Sequence, residues 1–153
     1  MHLRCKSSAQ QIITILISKK IMYRLKNKSV SILVVEDNPL DTLIVKTLLQ
    51  PYFNIETVSD GFDAITIIEE IKFDIILMDI NLGNEEMDGI SLMKKIKKTE
   101  KHKNIKIIAV TAYSENTELY ISEGFDEVYT KPVIKEDIFE YITKHAINNM
   151  VIH

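Results

Sequence analysis

The sequence predicts an α/β fold, a doubly wound, five-stranded parallel sheet with five helices packed on its faces. Three observations carry that expectation. From Val30 onward, short apolar runs alternate with stretches whose apolar residues recur at helical spacing. Between Asp74 and Asp79 the run Ile75-Ile76-Leu77-Met78 is apolar without a break, as a strand buried on both faces requires. No repeat, low-complexity segment or linker interrupts the chain after residue 30.

Each element has its own signal. Ser31-Ile32-Leu33-Val34-Val35 reads as a first buried strand. Asn38 and Pro39 then open a helix as N-cap and first helical residue, and Pro51 closes it. Leu40, Leu43, Ile44, Thr47 and Leu48 are predicted to form its inner face. Asn54 to Val58 is a short second strand. Asp60-Gly61 starts a second helix, packed through Ala64, Ile67, Ile68 and Ile71. The strand ending at Asp79 follows, then a loop through Gly83 to Asp88-Gly89. A third helix turns Ile90, Met93 and Ile96 inward, and Lys94, Lys95, Lys97 and Lys98 outward as a solvated face. Lys106 to Val110 is a fourth strand, Asn116 to about Ser122 a weaker helix capped by Gly124, and Glu127-Val128-Tyr129 a fifth strand. The last helix runs from Lys135 to about Ile147 and buries Ile138, Tyr141 and Ile142.

Composition narrows the function class. A chain of 153 residues holds one domain with a sizeable core, and 46% hydrophobic with 27% charged residues is ordinary for a soluble globular protein. The single cysteine, Cys5, excludes an internal disulfide, suits a reducing, cytoplasmic setting and is expected to be inert. The net charge of -3 conceals an asymmetry. Residues 1–29 hold seven of the 19 Lys and Arg and no acid, leaving twelve bases against all 22 acids in the rest. The folded part is therefore acidic, and nucleic acid is not expected as its partner.

Domain organisation is expected as a basic arm over residues 1–29, a domain over 30–147 and a tail over 148–153, with no second domain. In the arm, the apolar run Ile12 to Ile17 ends at Lys19-Lys20, well short of the ~20 residues of a membrane span. A basic start is present, but not the longer apolar stretch and cleavage site of a signal peptide. The arm is expected to be disordered or dispensable; a basic amphipathic surface helix and a translation start at Met22 are the alternatives.

The chemistry collects at strand ends. Loops after the first and third strands of such a sheet meet at one edge, which brings Glu36, Asp37 and Asp79 together. Three carboxylates in one pocket repel, and at neutral pH they take up protons or a cation. Oxygen-only ligands with a half-filled shell suit Mg²⁺, which completes its octahedron with water and phosphate. An Asp carboxylate shielded in this way can attack phosphorus. Lys131 adds a fixed positive charge, and the Thr111 hydroxyl a hydrogen bond to a phosphoryl oxygen. Singly, these residues also read as a charged helix start, a turn-forming Asp, an N-cap Thr and a surface Lys. Their joint placement at strand ends favours an aspartyl-phosphate site.

From about Val30 to Lys144 the chain resembles the receiver domain of two-component response regulators, a flavodoxin-like fold with strand order 2-1-3-4-5. The motifs are Val34-Val35-Glu36-Asp37-Asn38, Leu77-Met78-Asp79-Ile80, Met87-Asp88-Gly89-Ile90, Ala109-Val110-Thr111-Ala112 and Thr130-Lys131-Pro132. The resemblance implies that Asp79 is the phosphoacceptor, taking a phosphoryl group from a partner phosphohistidine on a sensor histidine kinase or histidine phosphotransfer protein. It implies Mg²⁺ bound directly by Asp37 and Asp79, through water by Glu36, and by the backbone carbonyl of Asn81. Thr111 and Lys131 would contact the phosphoryl group, and Lys131-Pro132 would be a cis peptide.

The chain departs from the family pattern in three places. The aromatic residue usual three positions before the lysine is replaced by Val128, with Tyr129 on the opposite face of the strand. The Asp79-to-Asp88 loop is about two residues longer than the common form and carries Glu85-Glu86. The Thr111-to-Gly124 segment is about two residues shorter, which puts the fourth helix in question. Asn81 and Tyr113 sit two positions beyond Asp79 and Thr111, where the resemblance implies that dephosphorylation is tuned, and the bulky Tyr113 is expected to restrict water access and lengthen the phosphorylated lifetime.

Other chemistry is poorly supported. His2, His102, His145 and His153 lie outside the strand-end loops, no Gly-rich nucleotide loop is present, and Asp79-Ile80-Asn81 lacks the second Asp of an aspartate-dependent phosphatase. Two readings remain. One is a stand-alone phosphoacceptor that catalyses its own phosphorylation and slow dephosphorylation without being a turnover enzyme, and switches binding to a downstream protein. The other is a receiver fold that signals by contact alone, for which Val128 is the best argument. A hydrolytic phosphatase is a distant third.

Overall fold

In the computed structural model, which describes residues 30–84 and 86–150, the expected elements form in the expected order. The strands are β1 (Ser31–Val35), β2 (Asn54–Val58), β3 (Ile75–Asp79), β4 (Lys106–Thr111) and β5 (Glu127–Thr130). The helices are α1 (Pro39–Leu49), α2 (Gly61–Glu70), α3 (Gly89–Lys98), α4 (Thr117–Glu123) and α5 (Lys135–Met150). The expectations for residues 1–29 and 151–153 lie outside the described residues. Helix α5 runs three residues past Ile147, so the tail expected from 148 begins within a helix. No helix among the described residues is long and apolar enough to cross a membrane.

All five strands pair in parallel, in the order β2-β1-β3-β4-β5. Parallel neighbours require crossover connections, and the helices supply them on both faces. Alternate strand residues divide the core accordingly. Leu33, Val35, Ile76, Met78, Ile107 and Ala109 pack with Ala64 and Ile68 of α2, Leu92, Met93 and Ile96 of α3, and Tyr120 of α4. Ile32, Val34, Ile75, Leu77, Ile108 and Val110 pack with Val45 and Leu49 of α1 and Ile138, Tyr141 and Ile142 of α5. Each fully buried Leu or Ile contributes about 1.5–3 kcal/mol, so the central strands dominate the driving force.

Three helix faces differ from the sequence expectation. In α1, Val45 and Leu49 are buried and Leu48 partly so, whereas Leu40, Leu43, Ile44 and Thr47 face outward. Apolar residues occupy most of this helix's circumference, so their spacing establishes a helix but leaves its rotation open. Docking selected the stripe through Val45 and Leu49, and left Leu40 63% and Leu43 60% exposed. In α2, Ala64 and Ile68 are buried and Ile67 partly so, but Ile71 is exposed, because the helix ends at Glu70 and Ile71 turns into extended backbone. In α3, Met93 and Ile96 are buried as expected and Leu92 joins them, while Ile90 is only half-buried. Lys97 does not belong to the solvated lysine face. Its flexible stem lies along the protein and its Nζ donates to the Ile105 carbonyl at 3.0 Å and to Asp126 at 2.7 Å.

The shortened segment after Thr111 still forms its helix. A 3-10 turn over Ser114–Asn116 leads into seven-residue α4, anchored by buried Tyr120 and closed by Gly124 in a left-handed conformation, φ 122°. Tyr129 points away from Val128 as expected, packing toward α5, where its hydroxyl donates to the Asp137 carbonyl at 3.1 Å.

Candidate functional site

The strand order reverses direction between β1 and β3, because β1 leads out to β2 while β3 leads the other way to β4. The loops leaving these two strands therefore diverge, and a crevice opens at their carboxyl ends. Register sets its contents. Val35 pairs with Met78, so Glu36 and Asp79 leave the sheet side by side. Asp79 pairs with Val110, which places Thr111 one residue further along β4, opposite Thr130 on β5, with Lys131 next in line.

Glu36, Asp79 and Thr111 are buried and Asp37 is exposed. Carboxylate oxygens of Glu36, Asp37 and Asp79 all lie within 4.8 Å of one another. The Lys131 ammonium reaches into this group, 2.7 Å from Glu36 Oε2 and 2.9 Å from Asp79 Oδ2. Backbone donors hold the same carboxylates from the other side. The Asn81 N–H donates to Asp79 Oδ1 at 3.0 Å, and the Asn38 N–H to Glu36 Oε1 at 3.1 Å. Asn38 also caps α1, its side chain accepting from the N–H groups of Leu40 and Asp41.

The expected residues thus converge, with one distinction. Glu36, Asp37, Asp79 and Lys131 form a contiguous charged group, whereas the Thr111 hydroxyl accepts a hydrogen bond from the Tyr113 N–H at 3.1 Å and its carbonyl accepts from the Lys131 N–H at 2.8 Å. The Lys131-Pro132 peptide is cis, as the resemblance implied.

A fourth carboxylate belongs to the site and was missed in the sequence. Asp41, in the first turn of α1, receives Lys131 Nζ at 2.9 Å. Helical spacing does not relate it to Asp37, which precedes the Asn38 cap and stands outside the helix. In isolation, an acid at a helix start needs no further explanation. Of the histidines, His2 and His153 lie outside the described residues; buried His102 pairs through Nε2 with Glu69 at 2.8 Å, before β4 begins, and the His145 ring lies 4.1 Å from that of Tyr141 on α5.

Electrostatics follow from burial and imbalance. Burial raises the Glu36 pKa, with the Asp79 charge adding, while Lys131 and the Asn38 N–H oppose the rise without cancelling it. Burial by itself would lower Lys131, but its bonds to Glu36, Asp79 and Asp41 outweigh this and raise its pKa, so it stays charged. Among the described residues, one ammonium stands against four carboxylates, which leaves a net negative pocket open on the Asp37 side. A hard, oxygen-only donor set of this kind fits a small divalent cation such as Mg²⁺.

A family model described as the response regulator receiver domain matches residues 32–143. Among curated proteins, the response regulator protein VraR of Staphylococcus saprophyticus is 32% identical over 127 residues, covering 80% of this chain and 59% of that protein. The first curated relatives are longer, and the chain covers only 14–59% of their lengths. Among solved structures, the receiver domain of the Pseudomonas aeruginosa sensor histidine kinase PA1611, with magnesium coordinated in its active-site cleft, is 28% identical with a TM-score of 0.66. That match covers 76% of this chain and 96% of the other. The receiver domain of Saccharomyces cerevisiae Ssk1, solved with the histidine phosphotransfer protein Ypd1, is 25% identical with a TM-score of 0.67, covering 75% of this chain and 87% of the other.

Proposed function

Because the chain belongs to the response regulator receiver domain family, we propose that Asp79 accepts a phosphoryl group from a phosphohistidine on a sensor histidine kinase or histidine phosphotransfer protein. The observation that carries this reading is the convergence of Asp79, Glu36, Asp37 and Lys131 at the carboxyl ends of the strands. In the transfer, an Asp79 carboxylate oxygen forms a bond to phosphorus as the phosphorus–nitrogen bond of phosphohistidine breaks. The electron pair of that bond goes to the imidazole, which leaves neutral or takes a proton from solvent.

The chain's own residues divide the remaining work. The Asn81 N–H fixes the orientation of the Asp79 carboxylate, and Lys131 moves from carboxylate to phosphoryl oxygen as negative charge arrives. Thr111, at the end of the neighbouring strand, supplies a hydroxyl to the same group. Asp37 and Asp79 directly, Glu36 through water and the Asn81 carbonyl would hold Mg²⁺. The ion supplies positive charge that offsets repulsion between the carboxylates and the incoming phosphoryl group. Leu40 and Leu43 of α1, and Ile134 following the cis peptide, are exposed on segments flanking the pocket and give a donor domain an apolar surface to cover.

Phosphorylation then shifts a two-state equilibrium and changes binding to a downstream protein. A contact-only signalling role is the second reading, supported by Val128, which packs against the core where the family usually carries a rotating aromatic. Intact mass after incubation with acetyl phosphate separates the two. A single phosphoryl adduct that requires both Mg²⁺ and Asp79, and is absent in Asp79→Ala, is expected. Full adduct formation on Asp79→Ala, or none on the wild type with either acetyl phosphate or a phosphorylated donor domain, would refute the phosphoacceptor role.

A further inference from the structure

Two of the three clustered carboxylates are anchored and one is not. Glu36 is held by Lys131 and the Asn38 N–H, and Asp79 by Lys131 and the Asn81 N–H. Among the described residues, Asp37 takes part in neither a hydrogen bond nor an ion pair. What stands against it is a backbone. At Gly83, an added Cβ would lie 2.7 Å from Asp37 Oδ2 and 3.8 Å from its Cγ, closer to the oxygen than real side-chain carbons come. Gly83 also has φ 63°, a left-handed conformation that L-residues with a side chain rarely adopt.

We propose that Gly83 is a positioning residue for the metal pocket, its missing side chain leaving the space in which the Asp37 carboxylate turns toward Asp79 and Glu36. The inference rests on the reading of the pocket as a Mg²⁺ site and goes beyond it to a residue outside the carboxylate set.

The loop cannot simply retreat from a larger residue at this position. Ile80 and Leu82 on one side of Gly83 and Met87 on the other are buried in the core. The Gly89 N–H closes the loop on the Ile80 carbonyl at 2.9 Å. Asp37, by contrast, is exposed and unanchored, so an added methyl group moves the carboxylate before it moves the loop. The exposed member of the cluster is then the one turned away from the cation.

Mg²⁺ titration by calorimetry on the full chain, with thermal melting alongside, tests this. Gly83→Ala is expected to weaken Mg²⁺ binding about tenfold or more, the scale of losing support for a ligand. Gly124→Ala is the matched control. Its backbone is also left-handed, at φ 122°, but its Cβ would meet only the flexible end of Met93, at 3.4 Å. It should lower the melting temperature without changing Mg²⁺ affinity. If Gly83→Ala does not fold, Gly83→Asn replaces it, because Asn tolerates the left-handed region better. In the background of Asp37→Asn, substituting Gly83 should add little further loss, since its effect runs through Asp37. Wild-type affinity in the Gly83 variant, or an undiminished loss in the Asp37→Asn background, would overturn the assignment alone. Absence of Mg²⁺ binding by the wild type would overturn the pocket reading together with it.

Discussion

Replacing Lys131 with Met removes the ammonium that, among the described residues, faces Glu36 and Asp79, and the structure gives the consequence a size and a direction. Both carboxylates are buried, with side chains 5% and 7% exposed, and each stands within 3 Å of Lys131 Nζ. Removing one partner of a buried ionic group costs about 3–5 kcal/mol, since the charge left behind has neither water nor counter-ion. For a domain of this size that corresponds to a fall of roughly 10 °C or more in melting temperature.

The loss should depend on pH. Glu36 has a raised pKa in the folded state, chiefly from burial, so its contribution is fully present below its unfolded value and is lost as pH rises through the folded value. Without Lys131, an influence that held this pKa down is gone and the pKa rises further. The stability difference between wild type and Lys131→Met is therefore expected to be larger at pH 7.5 than at pH 5, where Glu36 can be neutral. Mg²⁺ should stabilise the variant more than the wild type, because no ammonium competes for the carboxylates. At a free concentration 100 times the dissociation constant it would restore about 2.7 kcal/mol. Urea melts at both pH values, with and without Mg²⁺, measure all of this. Equal losses at the two pH values, together with equal stabilisation by Mg²⁺, would refute the argument that Lys131 serves as the counter-ion of a buried anionic pocket.

Three further outcomes are expected. Asp41→Asn removes a carboxylate that competes with the phosphoryl group for Lys131, so acetyl phosphate should label Asp79 about two- to fivefold faster, matching the modest energy of a partly exposed charge pair; slower labelling would contradict the competition. Asp126→Ala strips a partner from Lys97, Lys106 and the Ile107 N–H, and should cost about 1–3 kcal/mol while leaving phosphorylation intact. Burial would raise the Asp126 pKa, but these partners outweigh it and hold it low, so the stabilisation is present above the unfolded carboxylate value and lost as pH falls through the depressed one; a difference unchanged in acid would count against it. Tyr113→Ala should shorten the phosphorylated lifetime by admitting water beside Thr111, and an unchanged rate in a hydrolysis time course would exclude a shielding role for the half-exposed ring.

Much of the fold was legible because its signals are local. The Asn38 and Asp60 caps, the glycine that closes α4 and the apolar runs of β1, β3 and β4 act within a few residues of themselves. The site was legible for a related reason. In a parallel sheet the residue after each strand is delivered to one edge, so Glu36, Asp37, Asp79, Thr111 and Lys131 could be assembled by counting. Where several arrangements satisfied the same local rule, counting failed. The inner face of α1 was misassigned because its apolar residues surround the helix. Lys97 was misassigned because a long, flexible side chain can reverse the direction its helix position suggests.

The sequence by itself determined the alternation of elements, their caps and the identity of the residues at the strand ends, since these follow from the chain's periodicity and short-range hydrogen bonding. Only the tertiary structure decided which stripe of α1 meets the sheet, that Asp41 shares Lys131, and that Gly83 abuts Asp37. The physical reason is that these depend on the rotation of a helix and the path of a loop, both set by packing between segments distant in sequence. No local pattern of residues records such a distance.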